Sequence, residues 1–287
     1  PPLAPSMGSP PASDLYAQET EFAVLDALLP ALRARTFLDI GAEKGSFARF
    51  LLERGFTGSL FEPFPGHQQE LAALAARSGA KFFPYAVDKE DRTAQFHLAC
   101  DEQGQLVDYY HSLQKIEHDD RVHHRKAIDV PCRSLGSLAA AGEIPKEIGV
   151  LKTDTEGNDL AVLHGLGSVQ AEVLICEFFT EGLYRGWRDA HPPGLIARAE
   201  QLGFSQYLAI KRWEGQELVS LKPAVFLPKQ WGNLIFMRLK VFRDAQEALQ
   251  KIVGASEQRL MEAVVTSTRS AEEKEAVIQR LLQEKKG

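Results

Sequence analysis

From Thr36 onward the chain repeats one unit: an apolar β-like run, a short turn, then an amphipathic helical stretch. Thr36-Phe37-Leu38-Asp39-Ile40 opens the series and leads through a glycine turn into Ser46 to Arg54. Ser59 to Phe61 with the helix Gln68 to Arg77 repeats it, Lys81 to Val87 reads as a third strand, and later strands fall at Gly149 to Thr153, Glu172 to Phe178, Ser205 to Ile210 and Asn233 to Leu239. Strands and helices alternating with short turns specify an α/β fold with a mostly parallel sheet covered on both faces. A hairpin-like return through Trp213-Glu214-Gly215 suits an antiparallel end. Ahead of the first strand, Leu15, Phe22, Leu25, Leu28, Leu29 and Leu32 recur at helical spacing, with Asp14 placed to cap the helix.

Three regions follow. Residues 1–13 hold five prolines and little to bury, which reads as a flexible lead-in. Residues 14–240 carry the strand and helix pattern, and 287 residues at 44% hydrophobic suffice for one such core with an appendage. Residues 241–287 are charge-balanced, free of proline and interrupted only by Gly254. One seam of Phe242, Ala245, Leu249 and Ile252 and a looser one of Leu260, Val264, Ala271, Ile278 and Leu281 predict a long helix there, either a surface for homo-oligomerisation or a solvated helix with a weak stripe.

Thirty-three basic against thirty-nine acidic residues leave a net charge of −6, with no basic stripe, which argues against a nucleic-acid partner. Cys100, Cys132 and Cys176 are far apart and form neither a zinc pattern nor a disulfide framework. No apolar run approaches the roughly 18 residues of a membrane span, so a soluble, cytoplasmic protein is expected.

The sharpest motif is Phe37-Leu38-Asp39-Ile40-Gly41-Ala42-Glu43-Lys44-Gly45, a strand that ends in an acid and turns through two glycines into a helix. Glycine lets the backbone turn tightly and a ligand approach without meeting a Cβ. A dinucleotide site would show GxGxxG, whereas GxxxG favours a ligand without a pyrophosphate. Leu60-Phe61-Glu62-Pro63-Phe64-Pro65 places a second carboxylate at a strand end 23 residues after Asp39, where it can accept from both hydroxyls of a ribose.

Together with Leu151-Lys152-Thr153-Asp154-Thr155-Glu156-Gly157, these segments resemble, in order and spacing, the hallmark segments of FkbM-type methyltransferases. The resemblance runs from about Thr36 to about Leu239. It implies a Rossmann-like class I domain with a seven-stranded sheet that uses S-adenosylmethionine (SAM), with Asp39, Gly41, Ala42, Glu43 and Gly45 around the methionine part and Glu62 and Pro63 at the ribose. The family usually carries asparagine where this chain has Glu43, which adds a negative charge near the cofactor. In Tyr85-Ala86-Val87-Asp88, Asp88 is either an acceptor for the adenine amino group or a turn carboxylate on the surface.

Methyl transfer to a hydroxyl needs the acceptor about 3 Å from the methyl carbon, in line with the sulfur, and needs a base or a metal for its proton. Lys152, Asp154 and Glu156 lie at the C-terminal edge of their strand, where open α/β sheets bind ligands. Asp154 is the candidate base, Glu156 its helper or, with Asp154, a ligand for a divalent cation, and Lys152 a tuner of their charge. Glu156 can equally open the following helix as a capping acid. Glu177, ending another apolar strand, is a candidate acceptor contact or a turn residue.

Between Asp108 and Arg125 lies a long polar insertion of the kind that often carries substrate recognition. Its His111-Ser112-Leu113 resembles the Ser-Leu element frequent in the family and makes His111 a second candidate base. His118, His123 and His124 lack metal-ligand spacing and read as a solvated loop. Trp187, His191 and Trp213 line an acceptor pocket or belong to the core. The combined expectation is O-methylation of a small-molecule, secondary-metabolite or glycan hydroxyl, as in polysaccharide biosynthesis. A nicotinamide-dependent oxidoreductase and a catalytically degenerate scaffold are the competing readings.

Overall fold

The computed structural model describes residues 13–115, 122–181 and 190–266. In chain order the elements are α1 (Ser13–Leu28), β1 (Thr36–Ile40), α2 (Ser46–Glu53), β2 (Thr57–Phe61), α3 (Pro65–Ser78), β3 (Lys81–Phe83), β4 (Ala86–Val87), β5 (Arg92–Cys100), β6 (His123–Arg133), α4 (Leu135–Ala140), β7 (Glu147–Thr153), α5 (Asp159–His164), β8 (Gln170–Phe179), α6 (Pro192–Gln201), β9 (Gln206–Trp213), β10 (Gln216–Leu221), β11 (Trp231–Met237) and α7 (Leu239–Thr266).

One sheet runs β3-β2-β1-β7-β8-β11-β9-β10. β3, β2, β1, β7 and β8 pair in parallel, and β11 enters antiparallel between β8 and β9. The chain reverses at β1, so β2 and β7 leave it in opposite directions and open a crevice at the strands' C-terminal ends. The hairpin expected near Trp213 forms through Glu214 and Gly215, both at positive φ, and its return strand β10 makes this an eight-stranded sheet rather than a seven-stranded one.

Side chains alternate across the sheet, so each strand feeds two cores. Phe37, Val150, Val173, Ile175, Ile210 and Ile235 pack with α1, α2 and α7 on one face. Leu38, Ile40, Leu151, Leu174, Cys176 and Phe236 pack with α4, α5 and α6 on the other. The three cysteines are buried and unbridged. No helix among the described residues is long and apolar enough to cross a membrane.

Two strand expectations change. Lys81 to Val87 is not one strand: β3 pairs with β2, but Ala86–Val87 joins β5 and β6 in a separate three-stranded sheet. Pro84, which has no N–H for a ladder, separates the halves. His123 and His124 open β6 rather than lying in a solvated loop, paired with Cys100 and Ala99; His118 lies outside the described residues.

α7 runs unbroken through Gly254, and Val241, Ala245 and Leu249 are part of the main core, with Phe242 and Ile252 packed against it. Leu260 extends the seam to Trp213 and Leu218. Residues 267–287, with Ala271, Ile278 and Leu281, lie outside the described residues, as does nearly all of the lead-in.

Candidate active site

The C-terminal ends of the strands frame a cavity of about 600 Å³. Its wall begins at Phe61, Glu62 and Pro63 after β2 and at Tyr85, Ala86 and Val87, passes Gly41, Ala42 and Glu43, continues over Lys152, Asp154 and Glu156, and ends at Glu177, Arg212, Trp231 and Asn233. Phe61, Tyr85, Val87, Phe96 and Leu113 give the first end an apolar slot, and Lys152, Asp154, Glu156 and Glu177 make the middle strongly polar.

Backbone sterics explain the glycine turn. Gly41 has φ +75°, and a Cβ there would lie 1.9 Å from the carbonyl oxygen of Asp154, so the turns after β1 and β7 meet only because residue 41 lacks a side chain. Gly45, at φ +79°, begins α2 where a Cβ would press into Leu74 and Leu71 of α3. It shapes the turn from behind and does not line the cavity.

Glu62 joins the two loops. Its oxygens accept the Glu43 N–H at 2.9 Å and the Phe64 N–H at 2.8 Å, which fixes the carboxylate where each oxygen keeps a further lone pair. Burial raises its pKa to about 7, against the lowering effect of those two hydrogen bonds. Glu43 sits at φ +48°, a left-handed conformation in which asparagine is several-fold favoured over glutamate, and burial together with Asp154 raises the pKa of its carboxyl.

Parallel register puts Asp39 beside Lys152. The Lys152 ammonium lies 3.7 Å from Asp39 and 3.0 Å from Asp154. Burial opposes its charge, yet the two acids outweigh that and hold its pKa above the ordinary lysine value. Asp39 is fully buried behind Lys152 rather than on the cavity wall, and burial pushes its pKa to about 6. Lys152 and Asp154 thus lie on one side of the strand end.

Asp154, Glu156 and Glu177 converge, with one oxygen of each within 4.8 Å of the others. Burial, then Asp154 and Glu156, drives the pKa of Glu177 well above the usual carboxylate range. Glu156 does not cap α5: Asn158 holds the N-cap position, while Glu156, at φ +54°, faces the cavity and its carbonyl accepts the Ser112 hydroxyl at 2.6 Å. Asp159 fixes this loop from below, accepting from the Thr155 hydroxyl at 2.8 Å and from the Glu177 N–H at 3.3 Å.

Asp108, Tyr109, Tyr110, His111 and Leu113 of the polar insertion line the cavity. Ser112 ties the insertion to the Asp154–Glu156 loop, and an exposed Lys44–Asp108 pair at 2.6 Å ties it to the glycine turn. His111 lines the cavity but is not placed as a base. Its Nδ1 accepts the Ala99 N–H at 2.9 Å, so the neutral ring carries its proton on Nε2 and presents a donor. Burial, with His67 nearby, lowers its pKa to about 4, so the ring is neutral at physiological pH.

Asp88 does not line the cavity. Its oxygens are taken by the Lys89 N–H and by Arg92, both at 2.7 Å, so it anchors β5 instead of reaching an adenine. Trp213 packs with Leu218 and Leu260, and His191 stands at the N-cap position of α6; neither is on the cavity wall. Trp187 lies outside the described residues. Sequence reasoning missed Glu21, His67, Arg212, Trp231 and Asn233, all of which line the cavity.

Residues 39–212 match the model of the methyltransferase FkbM domain. The chain belongs to the FkbM methyltransferase family. The glycine turn, the Glu62 segment and the Lys152–Gly157 segment all lie inside that match, and the β3-β2-β1-β7-β8-β11-β9 order completes a class I SAM-dependent methyltransferase fold. The oxidoreductase reading falls with this assignment.

Solved structures similar to this FkbM chain include methyltransferases at low identity. Magnesium protoporphyrin IX methyltransferase (ChlM) from Synechocystis PCC 6803, with bound SAM, is 12% identical over 81% of this chain and 86% of its own, with a TM-score of 0.40. The N-terminal domain of EvdMO1 with SAH bound is 10% identical over 77% and 80%, with a TM-score of 0.40. The bifunctional kinase-methyltransferase WbdD is 14% identical over 80% of this chain and only 40% of its own, with a TM-score of 0.40. No curated protein matches the chain.

Proposed function

We propose that this enzyme transfers the methyl group of SAM to a hydroxyl of a small-molecule or glycan acceptor. The cofactor's ribose sits on Glu62, its adenine in the slot of Phe61, Pro63, Tyr85, Val87 and Leu113, and its methionine part against Gly41, Ala42 and Glu43. The observation that carries the reading is that Asp154, Glu156 and Glu177 meet immediately beyond that turn, where the methyl would point. Asp154 accepts the hydroxyl proton. Lys152, 3.0 Å from it, supplies the matching positive charge, and Glu177, held protonated, donates toward the acceptor.

Asp154→Asn tests this with methyl-labelled SAM and a panel of hydroxylated acceptors. Turnover falls about 10²- to 10⁴-fold, the usual contribution of a general base, while SAH affinity stays within about twofold, since the substitution is nearly isosteric and lies outside the ribose contacts. Retained turnover would remove Asp154 from the chemistry. Tight SAH binding by the unaltered protein without transfer to any acceptor favours the degenerate scaffold.

A second reading keeps the same transfer but adds a divalent cation, because the three convergent oxygens of Asp154, Glu156 and Glu177 are of the kind that hard cations take. The metal would polarise the acceptor hydroxyl in place of a base. Exhaustive chelation separates the two: activity lost to chelator and restored by Mg²⁺ or Mn²⁺ supports the cation, and unchanged activity leaves Asp154 as the base.

A further inference from the structure

The cavity is wider than the cofactor cradle assigned above. Successive strands lie about 4.8 Å apart, so β9 stands roughly 19 Å along the sheet from the cofactor strand β1. The wall over β8, β11 and β9 holds polar side chains that the transfer chemistry does not use. Glu21 of α1, Arg212 of β9 and Asn233 of β11 are each at least nine-tenths buried, yet all three line the cavity.

These groups are held in place before any ligand arrives. The Asn233 amide donates to a Glu21 oxygen. Arg212 lies 3.8 Å from Glu21 and donates through Nε to Glu217 at 3.0 Å, and its guanidinium stands over the Trp231 ring at 5.3 Å. Thr20 donates to the other Glu217 oxygen at 2.6 Å. α1 and the consecutive strands β9, β10 and β11 thus converge on one preorganised wall, and burying so many polar groups is costly unless each is hydrogen-bonded.

We infer that Glu21, Arg212, Trp231 and Asn233 form the acceptor-recognition subsite, which holds a neutral vicinal diol next to the hydroxyl being methylated. The inference rests on the cofactor assignment above. Its charge logic is specific. Arg212 already donates to the Glu217 carboxylate and lies 3.8 Å from Glu21, so it offers an anionic acceptor no spare counter-charge. An ammonium would meet the Arg212 guanidinium. A vicinal diol donates and accepts at each hydroxyl, which fits a carboxylate, an amide and a guanidinium around one aromatic face. A site built to bond a hydroxyl also rejects an analogue that lacks it.

Saturation-transfer NMR on the full chain with saturating SAH tests the subsite. The probes are methyl glycosides of glucose, galactose and mannose, set against glucuronate and glucosamine. At least one neutral glycoside binds, and the two charged sugars bind at least tenfold more weakly. Asn233→Leu weakens that glycoside at least tenfold and leaves SAH affinity within twofold. Trp231→Leu, at a partly exposed position, gives the same split if Asn233→Leu fails to fold. Equal binding of glucuronate, or unchanged glycoside binding in a variant that still binds SAH, overturns the subsite, as does the absence of any neutral glycoside signal. Failure of the unaltered protein to bind SAH overturns the cofactor assignment instead.

Discussion

Cofactor binding should be tied to the loss of one proton, and Glu62 supplies the reason. In the empty cavity burial raises its pKa to about 7, so the carboxyl is largely protonated below that pH. Both oxygens already accept a backbone N–H, and only the ionised form has lone pairs enough to accept the two ribose hydroxyls as well. Binding therefore selects the carboxylate. At pH 6 roughly one carboxyl in ten is ionised, so the apparent Kd for SAH is about tenfold weaker than its plateau above pH 8, or about 1.4 kcal/mol. If binding returned the group to an ordinary glutamate pKa, the whole linkage would amount to about 3 kcal/mol.

The assay is calorimetry with SAH from pH 5.5 to 8.5 in two buffers of different ionisation enthalpy. Close to one proton is released at pH 6 and almost none at pH 8.5. Glu62→Gln weakens binding at pH 8 by about ten- to a hundredfold, the cost of charged hydrogen bonds to the ribose, and flattens the pH slope. Titration of SAH itself is common to both proteins and cancels in the comparison. His111 is already neutral across this range and adds nothing to it. An affinity independent of pH between 6 and 8, or an equally steep slope in Glu62→Gln, would refute the reasoning.

Three further outcomes follow from the same geometry. Glu21, Glu62 and Asp159 all have folded pKa values raised to about 7, so the stability they add is present below about pH 4.5 and lost as pH rises through 7; the ligand-free Tm should fall between pH 5 and 8 by differential scanning fluorimetry, and a rise there would contradict it. Gly41→Ala forces a Cβ against the Asp154 carbonyl at positive φ and should lower unfolding free energy by about 2–4 kcal/mol in urea with loss of SAH binding, whereas a near-neutral result would show the two loops can part. Glu43→Asn places a residue that tolerates φ +48° and removes a partly buried charge; it should stabilise the ligand-free enzyme by about 0.5–1 kcal/mol, and a loss of stability would show that the glutamate carboxyl makes up for its backbone.

What was legible in the sequence is what short-range patterns record. β1 runs from Thr36 to Ile40 as read, and β2, β7, β8, β9 and β11 were placed within three residues at every end, because each ends in or contains an apolar run in a sheet covered on both faces. Glu62 and the Asp154–Glu156 segment were legible for a related reason: each follows such a strand directly. β5 and β6 were not. β6 is rich in charged residues and buries few side chains, so its strand character exists only through its pairing with β5, where Ala94, Phe96 and Leu98 do alternate toward a small core of their own.

The acceptor end of the cavity was illegible for a deeper reason. Glu21 reaches Asn233 across 212 positions of chain, and Thr20 reaches Glu217 across 197, so no local window contains both partners of either contact. In sequence Glu21 is a polar residue on an amphipathic helix and Arg212 a cation near a hairpin, both ordinary surface features. They become buried neighbours because β11 inserts between β8 and β9, which carries the ends of β9 and β11 to the same edge as Asp154, while α1 packs beside them against α7. The Glu62 end of the cavity depends on contiguous turns that lie inside the family match, whereas the Glu21–Asn233 end depends on strand order and on a helix that precedes that match. On the proposed assignment, specificity should therefore change through α1 and the β9–β11 wall without disturbing the turns assigned to SAM.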